Sequence, residues 1–208
     1  MPRSNDAANG SAPARRTAAV EVYSPRARFF HWLTVGLLLV QVPVGVYMSY
    51  RGNEMPFKND KGEIEHGVWD ALTNTLYSSH KTLGLIILAV ILARLAYRLS
   101  HGAPADEPTI EPWQKLASHT THWLLYALLI VIPVLGYVGI SYYPALEVFG
   151  VKLPAITAEN EDKAKAVFGI HGKLAFLLVL LAGVHIAAAL YHHIIRKDNV
   201  LRRMMPGG

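Results

Sequence analysis

Histidine is the residue type in this sequence with the most potential for chemistry. The chain has 208 residues, with ten histidines and no cysteine. Without cysteine, disulfides, iron–sulfur clusters and thiol catalysis are excluded, so any metal or cofactor must be held by nitrogen or oxygen ligands. Ionisable side chains beside apolar segments are costly and are functional candidates. Six histidines have such positions: His31, His80, His119, His122, His171 and His185.

The spacing of two of these histidines is the most informative feature. His171 and His185 are 14 residues apart, which in a helix separates their side chains by about 40° around the axis and about 21 Å along it. They therefore share one face at two depths. A flat iron porphyrin held edge-on between helices takes one imidazole from each side. The spacing thus predicts two stacked haems, completed by single histidines from opposing helices.

Single histidines are available at both levels. His80 matches the level of His171, on the outer side of the predicted membrane, and His31 matches His185 on the inner side. Counting from the ends of the apolar segments, however, places His31 shallower than His185. Spacing alone therefore leaves the second ligand of the inner site open. The other histidines on that side are His119, His122, His192 and His193.

Two alternatives compete with haem ligation. Zinc is bound by imidazole more often than by any other nitrogen ligand, but a zinc site needs three or four ligands that converge on one point. Pairs at two depths fit that requirement poorly. The other alternative is that each histidine lies at a membrane interface and binds only water or backbone. That explanation suits one isolated histidine. Histidines at two depths, each with a possible partner histidine, instead favour ligation of a metal.

The segments that must position these histidines are apolar and long. Apolar residues make up 52% of the chain and charged residues 17%, and the apolar ones are gathered into four blocks that each approach or exceed the roughly 20 residues of a membrane-spanning helix. The blocks are Phe29–Tyr50, Thr82–Leu99, Trp123–Tyr142 and Ile170–Ile195. The sequence predicts an all-α four-helix transmembrane bundle over residues 23–206, after a mobile N-terminal tail of residues 1–22.

Charge predicts the orientation of the bundle, because Lys and Arg gather on the cytoplasmic side of membrane spans. They cluster in the N-terminal tail, around the second connection and after the fourth span. The other two connections are acidic: residues 51–79 have three basic and five acidic residues, and residues 143–169 have three and four. We therefore expect both termini in the cytoplasm.

Helical geometry predicts that two further residues lie near the inner histidine site. Arg94 is 14 residues after His80, on the same face at the inner level, where its guanidinium is placed to pair with a haem propionate or to reach the lipid headgroups. His192 is seven residues after His185 and nearer the cytoplasm. A protonatable imidazole there suits a quinone carbonyl, although an interfacial histidine needs no such role.

The sequence resembles the bacterial cytochrome b561 family. The residues that carry the resemblance are Tyr23-Ser24, Arg26, the Phe-His-Trp of 30–32, His80, Ser118-His119-x-x-His122, His171-Gly172, His185-x6-His192-His193, and Lys197-Asp198-Asn199 with Met204-Met205-Pro206. The resemblance implies a two-haem b-type cytochrome of the inner membrane, with axial pairs His31 with His185 and His80 with His171. The best-defined member of the family is a superoxide oxidase that passes electrons from superoxide to ubiquinone.

Three functions therefore compete: a superoxide:ubiquinone oxidoreductase, an electron relay between quinone and a periplasmic redox protein, and an ion-binding membrane protein. Lys81 and Lys173 lie beside the outer histidines and are candidates to meet propionates or an arriving anion, or are simply interfacial lysines. A superoxide enzyme should attract anions, whereas the outer connections have net charges of −2 and −1. No G-x-G-x-x-G or G-K-[ST] motif indicates a nucleotide site.

Overall fold

Four long helices make up most of the structure, a computed structural model that describes residues 21–206. The helices are α1 (Pro25–Asn53), α2 (Ala71–His101), α3 (Pro112–Tyr142) and α4 (Glu161–Tyr191). All four are long and apolar enough to cross a membrane, which confirms the predicted four-helix architecture. Most of the predicted N-terminal tail, residues 1–20, lies outside the described residues.

The helices begin earlier than the apolar segments that predicted them, because polar caps rather than hydropathy set their first residues. Asp70 caps α2 by accepting the Thr73 backbone N–H at 2.9 Å. This bond and the Arg51 guanidinium hold the pKa of Asp70 below its usual value. Asn160 caps α4 by accepting the N–H of Lys163 at 2.9 Å. As a result, His80 lies well inside α2 rather than before it.

Short β-hairpins mark one end of the bundle, which we call the hairpin end. In the connection between α1 and α2, β1 (Pro56–Lys58) pairs antiparallel with β2 (Ile64–His66). Between α3 and α4, β3 (Glu147–Val148) pairs with β4 (Val151–Lys152). The opposite end holds residues 21–24, 102–111 and 192–206, and we call it the terminal end.

Consecutive helices pack against each other, α1 on α2, α2 on α3 and α3 on α4. The buried apolar core lies among α2, α3 and α4 and consists of Ile87, Ile91, Tyr126, Leu128, Leu129, Ile132 and Leu178. Burial of such residues against other helices, rather than lipid, adds packing contacts more than a hydrophobic driving force. Leu39 and Phe176 are 71% and 67% exposed, as expected for side chains that face lipid.

A buried arginine holds the segments of the terminal end together. Arg203 is 7% exposed. Its Nε donates to the carbonyl oxygen of Glu21 at 2.7 Å and its Nη2 to that of Ala105 at 2.5 Å. Its Nη1 also lies 3.8 Å from the carboxylate of Glu107. One side chain thus links the start of the described chain, the connection between α2 and α3, and the C-terminal segment.

Candidate haem sites

Two histidines face each other near the hairpin end. His80 on α2 and His171 on α4 have ring centres 6.1 Å apart, with their planes at 74°. Glycines on the other two helices make room for these rings. A Cβ atom at Gly45 of α1 would lie 2.8 Å from Cε1 of His80, and one at Gly136 of α3 would lie 3.2 Å from Cε1 of His171. Larger residues would therefore crowd this pair.

A hydrogen bond prepares one of the two hairpin-end imidazoles, that of His171, for a metal. The Nδ1 of His171 lies 2.9 Å from the carbonyl oxygen of Ile132, so it carries the proton and leaves Nε2 with a free lone pair, as in histidines that bind metals. The Nδ1 of His80 is buried and has no hydrogen-bond partner among the described residues. Gln41 donates to the carbonyl oxygen of His80 at 3.1 Å, and its Nε2 is 3.3 Å from the Nε2 of His80.

The hairpin-end pair borders a large cavity. Its volume is about 1560 Å³ and all four helices line it, whereas pockets for drug-sized ligands measure about 300–1,000 Å³. Side chains such as Leu38, Ile87 and Phe168 give it a mostly apolar wall. A cavity of this size and lining, with two facing imidazoles, suits a planar macrocycle.

Three imidazoles meet near the terminal end. The ring centres of His31 on α1 and His185 on α4 are 6.3 Å apart at 72°, and His122 on α3 lies 5.1 Å from His185 at 78°. The Nδ1 of His122 donates to the carbonyl oxygen of Ser118 at 2.7 Å. Arg94 on α2 donates to the Nδ1 of His31 at 3.0 Å, so this arginine does lie at the level that helical spacing predicts.

The ring separations can be compared with the geometry of a metal held between two imidazoles. Two metal–nitrogen bonds of about 2 Å, each followed by about 1 Å to the ring centre, place the centres about 6 Å apart. The separations for His80 with His171 and for His31 with His185 match this span. The 5.1 Å between His122 and His185 is too short for it. The ring separations therefore fit one iron at each level.

The remaining sequence candidates are placed away from these pairs. His119 is exposed, and its Nε2 lies 3.0 Å from the carboxylate of Asp106. The hydrogen bond with His119 lowers the pKa of Asp106. His193 is exposed after the end of α4. The side chain of His192 is 12% exposed, and its Nδ1 lies 2.5 Å from the carboxylate of Asp198. Within residues 21–206, no group of three or more His, Asp or Glu side chains is arranged to hold a metal ion.

The two candidate lysines differ in their surroundings. Lys81 lines the hairpin-end cavity, and its ammonium donates to the carbonyl oxygens of Ala145 at 3.0 Å and Glu147 at 2.5 Å. Lys173 is exposed on α4. Because two residues of a helix span about 200°, its side chain leaves α4 on the side away from His171. Of the two lysines, Lys81 is therefore the one with direct access to the cavity.

Gln41 and Asp198 were missed as candidate site residues. Gln41 is a polar side chain in the middle of an apolar segment, a signal that could have found it, because uncompensated polar groups are expensive at membrane depth. Asp198 belongs to the Lys-Asp-Asn motif that carries the resemblance, but its contact with His192 depends on how the chain turns after α4.

The chain belongs to the prokaryotic cytochrome b561 family, whose sequence profile matches residues 22–207. It is therefore a multi-pass bacterial membrane protein for electron transfer, of a family that implies b-type haem. Among its relatives, "Probable superoxide oxidase CybB" of Yersinia pestis is 33% identical over 61% of this chain and 73% of its own length. "Cytochrome b561 homolog 2" of Escherichia coli is 27% identical over 91% of this chain and 94% of its own. "Cytochrome b561 homolog 1" of the same organism is 28% identical over 88% and 97%.

Proposed function

We propose that this protein is a superoxide oxidase, which takes electrons from superoxide at the hairpin end and passes them to ubiquinone at the terminal end. The observation that carries the proposal is the presence of two histidine pairs, with ring centres 6.1 and 6.3 Å apart, at two levels of one bundle. Support for superoxide as the donor comes from the relative named probable superoxide oxidase, which is 33% identical.

The proposal includes an orientation, with the hairpin end in the periplasm and both termini in the cytoplasm. The hairpin-end connections have net charges of −2 and −1, and basic residues gather at the terminal end. That distribution follows the rule that positive residues stay inside. In this orientation the two levels of histidines give electrons a path between a periplasmic donor and a quinone dissolved in the membrane.

In the proposed assignment, His80 and His171 hold one haem b, and His31 and His185 hold the second. When bound, haem b supplies one-electron chemistry at an iron that two histidines close to direct substrate coordination. The bond from His171 to the carbonyl oxygen of Ile132 fixes the ring tautomer that ligation needs. For the second site, the ring separation of His31 and His185 favours this pair over His122 with His185.

Arg94 has a specific part in this assignment. It now donates a hydrogen bond to the Nδ1 of His31, which therefore acts as an acceptor. A neutral imidazole that gives one nitrogen to iron carries its proton on the other. His31 could therefore not hold iron and still accept the hydrogen bond from Arg94 at Nδ1, so ligation would free the guanidinium. We propose that it then pairs with a haem propionate, for which a guanidinium is well suited.

An electron relay between quinone and a periplasmic redox protein is the second candidate. The observation that favours it is the charge around the hairpin-end cavity: Glu54, Glu147 and Glu161 line it together with Lys81 and Lys165, and Lys165 is ion-paired with Glu161 at 2.9 Å. The ammonium of Lys81 is already bound by two carbonyl oxygens. These residues therefore do not form a broadly positive entrance, which would speed the arrival of an anion. A protein donor whose surface charge complements theirs would suit this end of the bundle.

Spectroscopy and rapid mixing of the purified protein test the proposal. A pyridine haemochrome assay should find two haems b per chain. Superoxide should then reduce the haems, and ubiquinone should reoxidise them. One haem or none per chain would refute the two-site assignment. If superoxide does not reduce the haems but a quinol does, the relay function replaces the oxidase.

A further inference from the structure

A histidine and an aspartate form a nearly enclosed pair just beyond the end of α4. The Nδ1 of His192 lies 2.5 Å from Oδ2 of Asp198, and the two side chains are 12% and 5% exposed. The second carboxylate oxygen, Oδ1, accepts the backbone N–H of Val200 at 3.1 Å. A carboxylate so withdrawn from water is costly unless it is paired and hydrogen-bonded, and ionisable residues close to a membrane are candidates for function.

The backbone after α4 is shaped to make this contact. The chain widens into a single π-helical turn over His192–Arg196, and Lys197 then adopts a left-handed conformation with φ of 54°. The N–H groups of Lys197 and Asp198 both donate to the carbonyl oxygen of His192, the second at 3.2 Å. Residues other than glycine rarely occupy this region, and π-helical turns are frequent at functional sites. The turn brings the carboxylate back onto the imidazole.

The chemistry of the pair is that of an oriented proton donor. Because the carboxylate accepts the Nδ1 proton, Nε2 is the ring nitrogen that exchanges protons. His192 follows His185 by seven residues, or about 10 Å along a helix, on the way to the terminal end. The pair therefore lies between the second histidine site and the proposed cytoplasm.

We infer that Asp198 is a positioning residue that prepares His192 to protonate the quinone, an inference that rests on the proposed function. Reduction of ubiquinone to ubiquinol takes two electrons, released as two superoxide ions become two molecules of oxygen, and two protons. For each proton that the pair supplies, the Nε2–H bond of the His192 imidazolium breaks and an O–H bond forms at a quinone carbonyl oxygen. His192 is left neutral, with its Nδ1–H on Asp198, and regains its proton from cytoplasmic water.

The test follows reoxidation of the haems, first reduced chemically, by a short-chain ubiquinone in rapid mixing. Asp198→Asn should slow reoxidation at least about tenfold, and Asp198→Glu should recover much of the rate. Asp106→Asn is the matched control, because it removes the exposed histidine–aspartate pair at the same end of the bundle. The Asp106→Asn variant should be reoxidised at the wild-type rate. Reduction by superoxide should change little in any variant.

A second measurement does not depend on turnover. The ¹⁵N spectrum of histidine-labelled protein in the reduced state, with the His192 signal assigned by its absence in His192→Gln, should show a protonated Nδ1. That preference should weaken in Asp198→Asn. If Asp198→Asn reoxidises at the wild-type rate, or loses haem and slows both half-reactions alike, the inference is wrong while the proposed function stands. If ubiquinone fails to reoxidise even the wild type, the proposed acceptor is wrong and the inference falls with it.

Discussion

At the scale of single residues, the hydrogen bond on one ring nitrogen decides what the other nitrogen can bind. His171 donates from Nδ1 to the backbone carbonyl of Ile132 on α3, which leaves the lone pair of Nε2 free. His119 instead directs Nε2 to the carboxylate of Asp106 in an exposed position. Histidines that look equivalent in the sequence are therefore prepared for different tasks.

Replacing one histidine of a pair should remove the one haem that the pair is proposed to hold. We expect His171→Ala to retain only the terminal-end haem and His185→Ala only the hairpin-end haem, because in the proposed assignment each variant lacks one of the two histidines that would hold the missing haem. The haem content should fall from about two to about one per chain, measured by pyridine haemochrome. His119→Ala is the control and should retain both. If His185→Ala keeps both haems while His122→Ala loses one, then His122 is the ligand.

Replacement of the two candidate lysines, Lys81 and Lys173, should slow haem reduction by superoxide to different extents. Lys81→Gln removes a positive charge at the cavity, so it should slow haem reduction by superoxide about two- to fivefold and leave reoxidation by ubiquinone nearly unchanged. Lys173→Gln, on the outward side of α4, should have the smaller effect. Added salt should narrow the difference by screening. Equal rates for Lys81→Gln and wild type at low salt would exclude Lys81 from anion capture.

At the scale of the helices, glycine allows α1 and α3 to approach the histidine rings. Gly45 and Gly136 are the positions where a Cβ atom would meet His80 and His171. A Cβ atom at Gly36, on the same helix as Gly45, would meet no atom of the described residues within 4 Å. A glycine therefore lies close to a side chain at one position of α1 and not at the other.

Alanine substitutions at Gly45 and Gly36 provide a matched pair of variants. Gly45→Ala places a Cβ 2.8 Å from the ring of His80. It should destabilise the hairpin-end site by about 1–3 kcal/mol, the usual cost of overpacking. We expect lower haem occupancy and loss of the Soret band at a lower temperature. Gly36→Ala should match the wild type. Identical melting and haem content for the two variants would show that Gly45 does not shape the site.

At the scale of the whole molecule, orientation decides which substrate meets which histidine pair. We expect alkaline phosphatase fused after Lys61 or Pro154 to be active, because these hairpin-end sites should be periplasmic. Fusions after Asp106 or at the C-terminus should be inactive, because basic residues hold those segments in the cytoplasm. An active C-terminal fusion would contradict the predicted orientation. Every histidine would then lie at the opposite depth, and the proposed quinone site would face the periplasm.

Local properties of the sequence were sufficient to predict the architecture. The number of spans follows from segment length and hydropathy, and the alignment of His171 with His185 follows from the helical repeat. Both depend only on residues close together along the chain. The cap residues that start the helices, such as Asp70, lie outside the apolar segments, which is why the predicted boundaries were shorter than the observed helices.

Tertiary structure alone decided how residues far apart in the sequence meet. The spacing of histidines allowed several partners for His31, and the arrangement of the four helices places its ring centre 6.3 Å from that of His185. The contact of Lys81 with the carbonyls near β3 depends on how the connection folds over α2. The pairing of His192 with Asp198 depends on one left-handed residue. Such contacts arise from distances between helices and from turns of the chain, which hydropathy and helical periodicity do not encode.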